Sequence, residues 1–370
     1  MRNYFVKKLL PLFVLTLSLT PFISCQDVIF DNIRKEIELE DGRIAGDIRS
    51  IVRFKDKYYL ANGGIYYKEK SWSSYGLWLP AAAPEGQVLK LAADQKYLYA
   101  LAGISIENEK AGTNDGYARC VYYSEDGNSW SLVTSLGDAG TIIYNSKAVV
   151  NTYMFCTNSI KEENRSAYFV LNGGLVTTSV NKAYRLEGDK VTPLELGTSD
   201  AGKKPFSAIN IVSRSCVWYD GDVYFFNSNA STTNETENSL PTMYYYGVGS
   251  LLKWGGAKST EIGIMCKDTL ASMGITADYI LLGTNSGISH YTLSSGVPQF
   301  SVPFVSNAEA TLSGAYRVLS ILVVNPEQNE LQTTIYASQV YTGTGSSNSA
   351  QFDHVGLWAY YPSRGSWNRE

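Results

Sequence analysis

Cys120-Val121-Tyr122-Tyr123-Ser124-Glu125-Asp126-Gly127-Asn128-Ser129-Trp130 reads as a β-strand, a tight polar turn and the start of a return strand. Two other stretches align with it. Gly64-Ile65-Tyr66-Tyr67-Lys68-Glu69-Lys70-Ser71-Trp72 and Leu357-Trp358-Ala359-Tyr360-Tyr361-Pro362-Ser363-Arg364-Gly365-Ser366-Trp367 share its Tyr-Tyr, its turn of variable length and its Ser-Trp. Weaker copies are Ala183 to Asp189, Leu251 to Gly256 and Ser289 to Gly296.

A second β run precedes each hairpin: Tyr58 to Ala61, Tyr97 to Ala100, Tyr153 to Cys156, Val223 to Phe226, Tyr279 to Leu282 and Thr334 to Ala337. An apolar run and a turn precede most of these, as in Ser50-Ile51-Val52 before Lys55-Asp56-Lys57. No stretch carries a convincing 3.6-residue period, so the chain is expected to be all-β. The unit is four strands, a to d, recurring about every 54 residues, in the range of propeller blades. The expected fold is a six-bladed β-propeller of four-stranded antiparallel blades. Seven blades result if Ala167 to Leu171 founds its own. The 27 tyrosines and 7 tryptophans are assigned to contacts between blades, where each buries on the order of 150–250 Å². Closure is expected from pairing Ser366 to Glu370, or Lys35 to Glu40, with the neighbouring blade.

Ser124-Glu125-Asp126-Gly127-Asn128-Ser129-Trp130 resembles the Asp-box of sialidases and related propellers, S-x-D-G-x-S/T-W. The resemblance implies structural roles for Ser124, Asp126, Gly127 and Trp130: the Asp accepts backbone N–H groups in the turn, and the Trp anchors the returning strand between blades. The chemistry suits the residues, since Asp closes an Asx-type turn and Gly supplies positive φ. At residues 68–72 and 362–367 the Asp is missing. The motif marks a fold, and in that family it lies away from the active site.

The first 25 residues read as an address. Arg2, Lys7 and Lys8 precede the apolar run Leu9 to Leu19, which is too short to span a hydrocarbon core of ~30 Å. Phe22-Ile23-Ser24-Cys25 resembles a bacterial lipobox, with Phe22 where Leu is usual; relaxed forms of this kind occur in spirochaete and Bacteroidetes lipoproteins. The resemblance implies a signal peptide at 1–24, acylation at Cys25 (palmitate included) and a tether at 25–46 before a propeller at 47–370. Cleavage would remove three positive charges from a chain whose formal net charge is already −4. An acidic body argues against nucleic acid and against a polybasic grip on lipid. The lipid then holds a monomer at a membrane of the cell envelope, facing the periplasm or the cell surface.

Cys120, Cys156, Cys216 and Cys266 each lie in an apolar run and read as buried free thiols; three pairings remain open. No C-x-x-C, Gly-x-Ser-x-Gly, His-Glu-x-x-His or Walker loop occurs, and neither metal nor cofactor is expected. The chain has two histidines, His290 and His354, and both read as surface or satisfied core residues. A sialidase-like glycosidase needs an arginine cluster, a Tyr nucleophile with a Glu, and an Asp acid. Its Arg-Ile-Pro string is absent, Arg43-Ile44-Ala45 being the nearest. Glu162-Glu163 and the Glu38 and Glu40 pair read as solvated faces.

Long polar b–c connections fall on one face: Ser105 to Tyr117, Ser159 to Lys182, Ser231 to Thr242 and Thr342 to Asp353. Elaborating one face costs ordering entropy and is common on binding surfaces. Asn114, Asp115, Asn234, Glu235 and Asn348 are the candidate contacts. The expected function is non-catalytic binding of a protein or glycan by this face. A sialidase-like hydrolase or lyase is the alternative, and an envelope assembly scaffold a third reading.

Overall fold

Tyr58 to Ala61, Leu98 to Ala102 and Ile280 to Leu282 are buried on both faces of their strands, and that dictates the architecture. The computed structural model describes residues 44, 47–72, 78–106, 116–139, 149–175, 178–194, 216–219, 222–227, 242–247, 260–264, 271–284, 287–292, 299–300, 316–329, 331–341 and 355–370. Four antiparallel meanders form separate four-stranded sheets. The first holds β1 (Ser50–Phe54), β2 (Lys57–Ala61), β3 (Ile65–Glu69) and β4 (Leu79–Ala81). The second holds β5 (Gln87–Ala93), β6 (Leu98–Ile106), β7 (Gly116–Ser124) and β8 (Ser131–Leu132).

A larger, eight-stranded sheet follows: β9 (Val149–Ser159), β10 (Ala167–Leu175), β11 (Thr178–Glu187), β12 (Lys190–Leu194), β13 (Cys216–Tyr219), β14 (Asp222–Asn227), β15 (Thr242–Gly247) and β16 (Thr260–Ile264). The last two sheets hold β17 (Ser272–Ile275), β18 (Tyr279–Thr284), β19 (Gly287–Thr292) and β20 (Gln299–Phe300), then β21 (Tyr316–Val323), β22 (Ile335–Tyr341), β23 (Gly356–Tyr361) and β24 (Ser366–Arg369). The fold is an all-β propeller of four-stranded antiparallel units. The first strands β1, β5, β9, β13, β17 and β21 neighbour one another in a closed cycle.

Four expectations are corrected. The strands hydrogen-bond into five sheets and not six or seven. The cause is local: β9 runs long, and its end pairs in parallel with β13 through Thr157↔Cys216, Asn158↔Val217 and Ser159↔Trp218, fusing two meanders. Ala167 to Leu171 founds no sheet of its own; it belongs to β10, the second strand of its meander, between β9 and β11. The supposed b–c loop Ser159 to Lys182 is therefore a short β9–β10 connection followed by a hairpin, and that connection emerges on the opposite face. Finally, β24 pairs with β23 of its own sheet and not with a neighbour; Lys35 to Glu40 lies outside the described residues.

Period-two alternation distributes the side chains. On β2, Tyr59 and Ala61 face the second sheet in a cluster with Leu91, Leu98 and Ala100. Tyr58 and Leu60 face the last sheet, with Leu322, Tyr336 and Leu357. On β6, Leu98 and Ala100 look back to the first sheet while Tyr99 and Leu101 pack against Met154, Phe169 and Leu186. On β23, Leu357, Ala359 and Tyr361 join the first sheet, and Trp358 and Tyr360 face Leu281 and Ile288. A Tyr-Tyr pair thus serves two interfaces at once.

The first and last sheets meet through side chains. The Ser338 hydroxyl donates to the Ile48 carbonyl at 2.7 Å, and the Ile51 N–H donates to the Ser320 hydroxyl oxygen at 3.0 Å. At the centre Lys68 Nζ lies 2.9 Å from Glu370 Oε2, both side chains wholly buried. Lys68 also donates to the Tyr361 hydroxyl at 3.1 Å, Tyr361 in turn donates to Glu370, and Trp78 Nε1 donates to Glu370 Oε2 at 2.9 Å. Burial holds the Lys68 pKa below its ordinary value, with Glu370 pulling it back up. The Tyr336 ring, 5.3 Å from Lys68 Nζ, adds a cation–π face.

Removing one partner leaves the other buried and unanswered. Lys68→Met is expected to cost about 3–5 kcal/mol in urea unfolding, and Lys68→Met/Glu370→Leu to recover part of that loss.

Candidate ligand cleft

The turns at the a–b and c–d end are built by short polar side chains satisfying backbone donors. In the β7–β8 turn, Asp126 Oδ1 accepts the Asn128 and Ser129 N–H groups at 2.8 and 2.7 Å and the Ser124 hydroxyl at 3.0 Å. Ser124 Oγ accepts the Gly127 N–H at 2.8 Å. Those bonds, Ser129 N–H first, hold the Asp126 carboxyl well below the usual carboxylate range. Gly127 has φ 78°, and a Cβ there would lie 2.3 Å from the Tyr59 hydroxyl oxygen. Trp130 Nε1 reaches the Ala82 carbonyl at 2.9 Å. Ser124, Asp126, Gly127 and Trp130, picked out together in the sequence, therefore act together and fasten the second sheet to the first.

The next unit repeats the device with different residues. Gly188, φ 64°, sits against the Tyr97 ring, where a Cβ would come within 2.8 Å. Its N–H donates to the Tyr99 hydroxyl at 2.8 Å, and Tyr99 donates to Asp94 Oδ2 at 2.7 Å. Asp94 Oδ1 accepts the Lys96 and Tyr97 N–H groups, both at 2.7 Å. Burial nonetheless outweighs these bonds and raises the Asp94 pKa. Asp189 accepts the Thr134 N–H at 2.5 Å and the Ser135 N–H at 3.2 Å, joining the same two units at their rim.

Between these units opens a cleft of about 370 Å³. Three segments wall it: the β5–β6 turn with Asp94, Gln95, Lys96 and Tyr97; the β9–β10 connection with Glu163, Arg165 and Ser166; and the β11–β12 hairpin with Arg185, Leu186, Glu187 and Lys190. Arg185 Nη2 lies 3.3 Å from Glu187 Oε1, and Lys190 Nζ 3.7 Å from Glu187 Oε2. Arg165 Nη1 donates to the Arg53 carbonyl at 3.3 Å, which ties this wall to the first sheet.

Two smaller cavities among the described residues, of about 20 and about 40 Å³, share Val52, Cys156 and Asn158 and suit ordered water. Among the described residues lining them none is Asp or Glu. Asn158 Nδ2 crosses to the Met273 carbonyl at 2.8 Å. Among the described residues no group of three or more His, Cys, Asp and Glu side chains could hold a metal ion.

Cys25, Asn114, Asp115, Asn234, Glu235, Asn348, Cys266 and His354 lie outside the described residues. His290 is on β19, paired in register with Leu281. Cys120, Cys156 and Cys216 are free thiols, Cys120 and Cys216 buried and Cys156 partly so. The cleft residues were not picked out in the sequence, apart from Glu163. Their one local signal is the charged turn strings Asp94-Gln95-Lys96 and Glu162-Glu163-Asn164-Arg165.

No family model matches the chain, and no curated protein does. Solved structures do. The GH93 α-L-arabinofuranosidase of Fusarium graminearum in complex with arabinobiose is 10% identical at TM-score 0.49, over 86% of this chain and 94% of that one. The GH43 endo-arabinanase from Bacillus licheniformis is 13% identical at TM-score 0.35, over 70% and 99%. A prolyl endopeptidase is 11% identical at TM-score 0.38, over 87% and 40%. At such identity the likeness is one of fold alone.

Two outcomes follow. Gly127→Ala should lower stability by roughly 1–3 kcal/mol, and adding Tyr59→Phe, which deletes the oxygen the new methyl would strike, should restore part of it. Asp126 has its folded pKa depressed, so its contribution is present above the unfolded value of about 3.9 and is lost as pH falls below it. Asp126→Asn should therefore melt below the parent at pH 7, with the gap closing toward pH 2 in thermal scans.

Proposed function

We propose that this chain is a lipid-anchored, non-catalytic binding propeller of the cell envelope that receives a polar ligand, glycan or protein segment, in the cleft between its second and third meanders. The observation that carries the reading is the cleft itself. Its volume of about 370 Å³ falls in the range of ligand sites, roughly 300–1,000 Å³. Its walls are held from behind by Asp94, Tyr99 and Gly188, so they stand ready before a ligand arrives. In this reading Ser124 to Trp130 is an Asp-box with a structural role, Cys25 carries the lipid, and the b–c face with Asn114, Asp115, Asn234, Glu235 and Asn348 is a secondary surface.

A glycoside hydrolase on the same scaffold is the second reading. Favouring it are Asp94, Glu163 and Glu187, three carboxylates on the wall of one cleft. Against it, Asp94 is committed to its turn and Glu187 to Arg185 and Lys190. Fluorogenic glycosides separate the two: the binding reading expects no turnover, and turnover abolished by Glu163→Gln would establish the other.

For the main reading, the full chain on supported lipid is presented with envelope polysaccharide and peptide fractions. A Glu163→Lys/Lys190→Glu charge swap should weaken retention of the bound fraction about tenfold, while shortening Ser231 to Thr242 leaves it unchanged. The reverse pattern would move the site to the b–c face.

A further inference from the structure

We infer that the cleft takes an uncharged, polyhydroxylated ligand, a neutral oligosaccharide in place of an acidic or basic one; this rests on the cleft being the binding site. The reason is the way charge is distributed on its walls. Each of the three segments brings an acid and a base two residues apart: Asp94 with Lys96, Glu163 with Arg165, and Glu187 with Arg185. Lys190 is the one charge beyond these pairs. Neither sign holds a wall to itself.

An anion entering this space meets a carboxylate on each of the three walls, and a cation meets an ammonium or guanidinium on each. Like charges brought together out of water cost several kcal/mol in specificity. A hydroxyl meets no such conflict. It donates to a carboxylate oxygen and accepts from a guanidinium or ammonium at the same moment, and two hydroxyls on adjacent carbons present that capacity twice along one edge. The walls also hold their polar heads in place: Asp94 by three hydrogen bonds, and Glu187 between Arg185 and Lys190. A saccharide would then exchange its water for groups already oriented, the condition under which hydrogen bonds contribute net affinity.

The test uses the full chain in a polyoxyethylene detergent, which carries no sugar, on an array of neutral glycans with polygalacturonate and chitosan oligomers as charged members. Neutral members are expected to bind and the charged ones not. Affinity should change by less than about twofold between roughly 50 and 500 mM NaCl, because screening has no ligand charge to act on. Glu163→Ala/Lys190→Ala, both exposed positions, should weaken binding about tenfold with an unchanged melting temperature. Charged glycans bound in preference, and weakened by the same pair of substitutions, would overturn the ligand class while leaving the cleft as the site. Binding of any glycan that the pair does not alter, or no binding at all, would overturn both.

Discussion

A positive charge sealed from water must be answered where it sits, and Lys68 is answered by Glu370, 302 residues away. That pair, with Tyr361 and Trp78 bonded to the same carboxylate, closes the circle of sheets. Each sheet has two apolar faces and is unstable alone, so the first and last must cover one another. Pairing a terminal strand into the neighbouring sheet would give that joint a directional bond network. Here β24 stays in its own sheet, and among the described residues the joint is made by packing, by the Ser338 and Ser320 hydroxyl bonds and by one buried ionic cluster. A buried ion pair adds little net stability but penalises every wrong register, because misalignment leaves a charge unpaired.

The same economy governs the other interfaces. A turn glycine of one unit rests on a tyrosine of the unit before it: Gly127 on Tyr59 of β2, and Gly188 on Tyr97 in the turn that leads into β6. Both glycines have positive φ, so the backbone folds back tightly enough to let the ring through. Interlocking of this kind keeps the units at a fixed spacing. The cleft is the space that spacing leaves between the β5–β6 turn and the β11–β12 hairpin, with its chemistry supplied by turns and not by strands.

Much of this was legible in the chain. Tyr-Tyr followed by Ser-Trp announced hairpins, and Tyr66-Tyr67 and Tyr360-Tyr361 do split between two interfaces. Ser124, Asp126 and Gly127 read as a built turn and form one. What escaped notice did so for physical reasons. The parallel joint between β9 and β13 depends on how far β9 extends, and nothing local in Thr157-Asn158-Ser159 announces a partner nearly sixty residues on. Ala167 to Leu171 looked like an insertion because Tyr153 to Cys156 resembles a second strand as much as a first. Lys68 sits in a string of exposed-looking charges, Lys68-Glu69-Lys70, and only the third dimension shows that the first of them is buried. The cleft residues are ordinary charged turn residues until three turns converge.

Lysine acylation read by mass spectrometry tests the closed circle most directly. The Lys68 side chain has no exposed surface while Lys70 stands in solvent, so the reagent reaches one and not the other. Treated with acetyl N-hydroxysuccinimide at pH 7.5, the native chain should acylate Lys70 and leave Lys68 untouched, and a chain ending at Arg369 should expose Lys68 to the reagent. Acylation of Lys68 as fast as Lys70 in the intact chain would contradict the sealed joint between the first and last sheets.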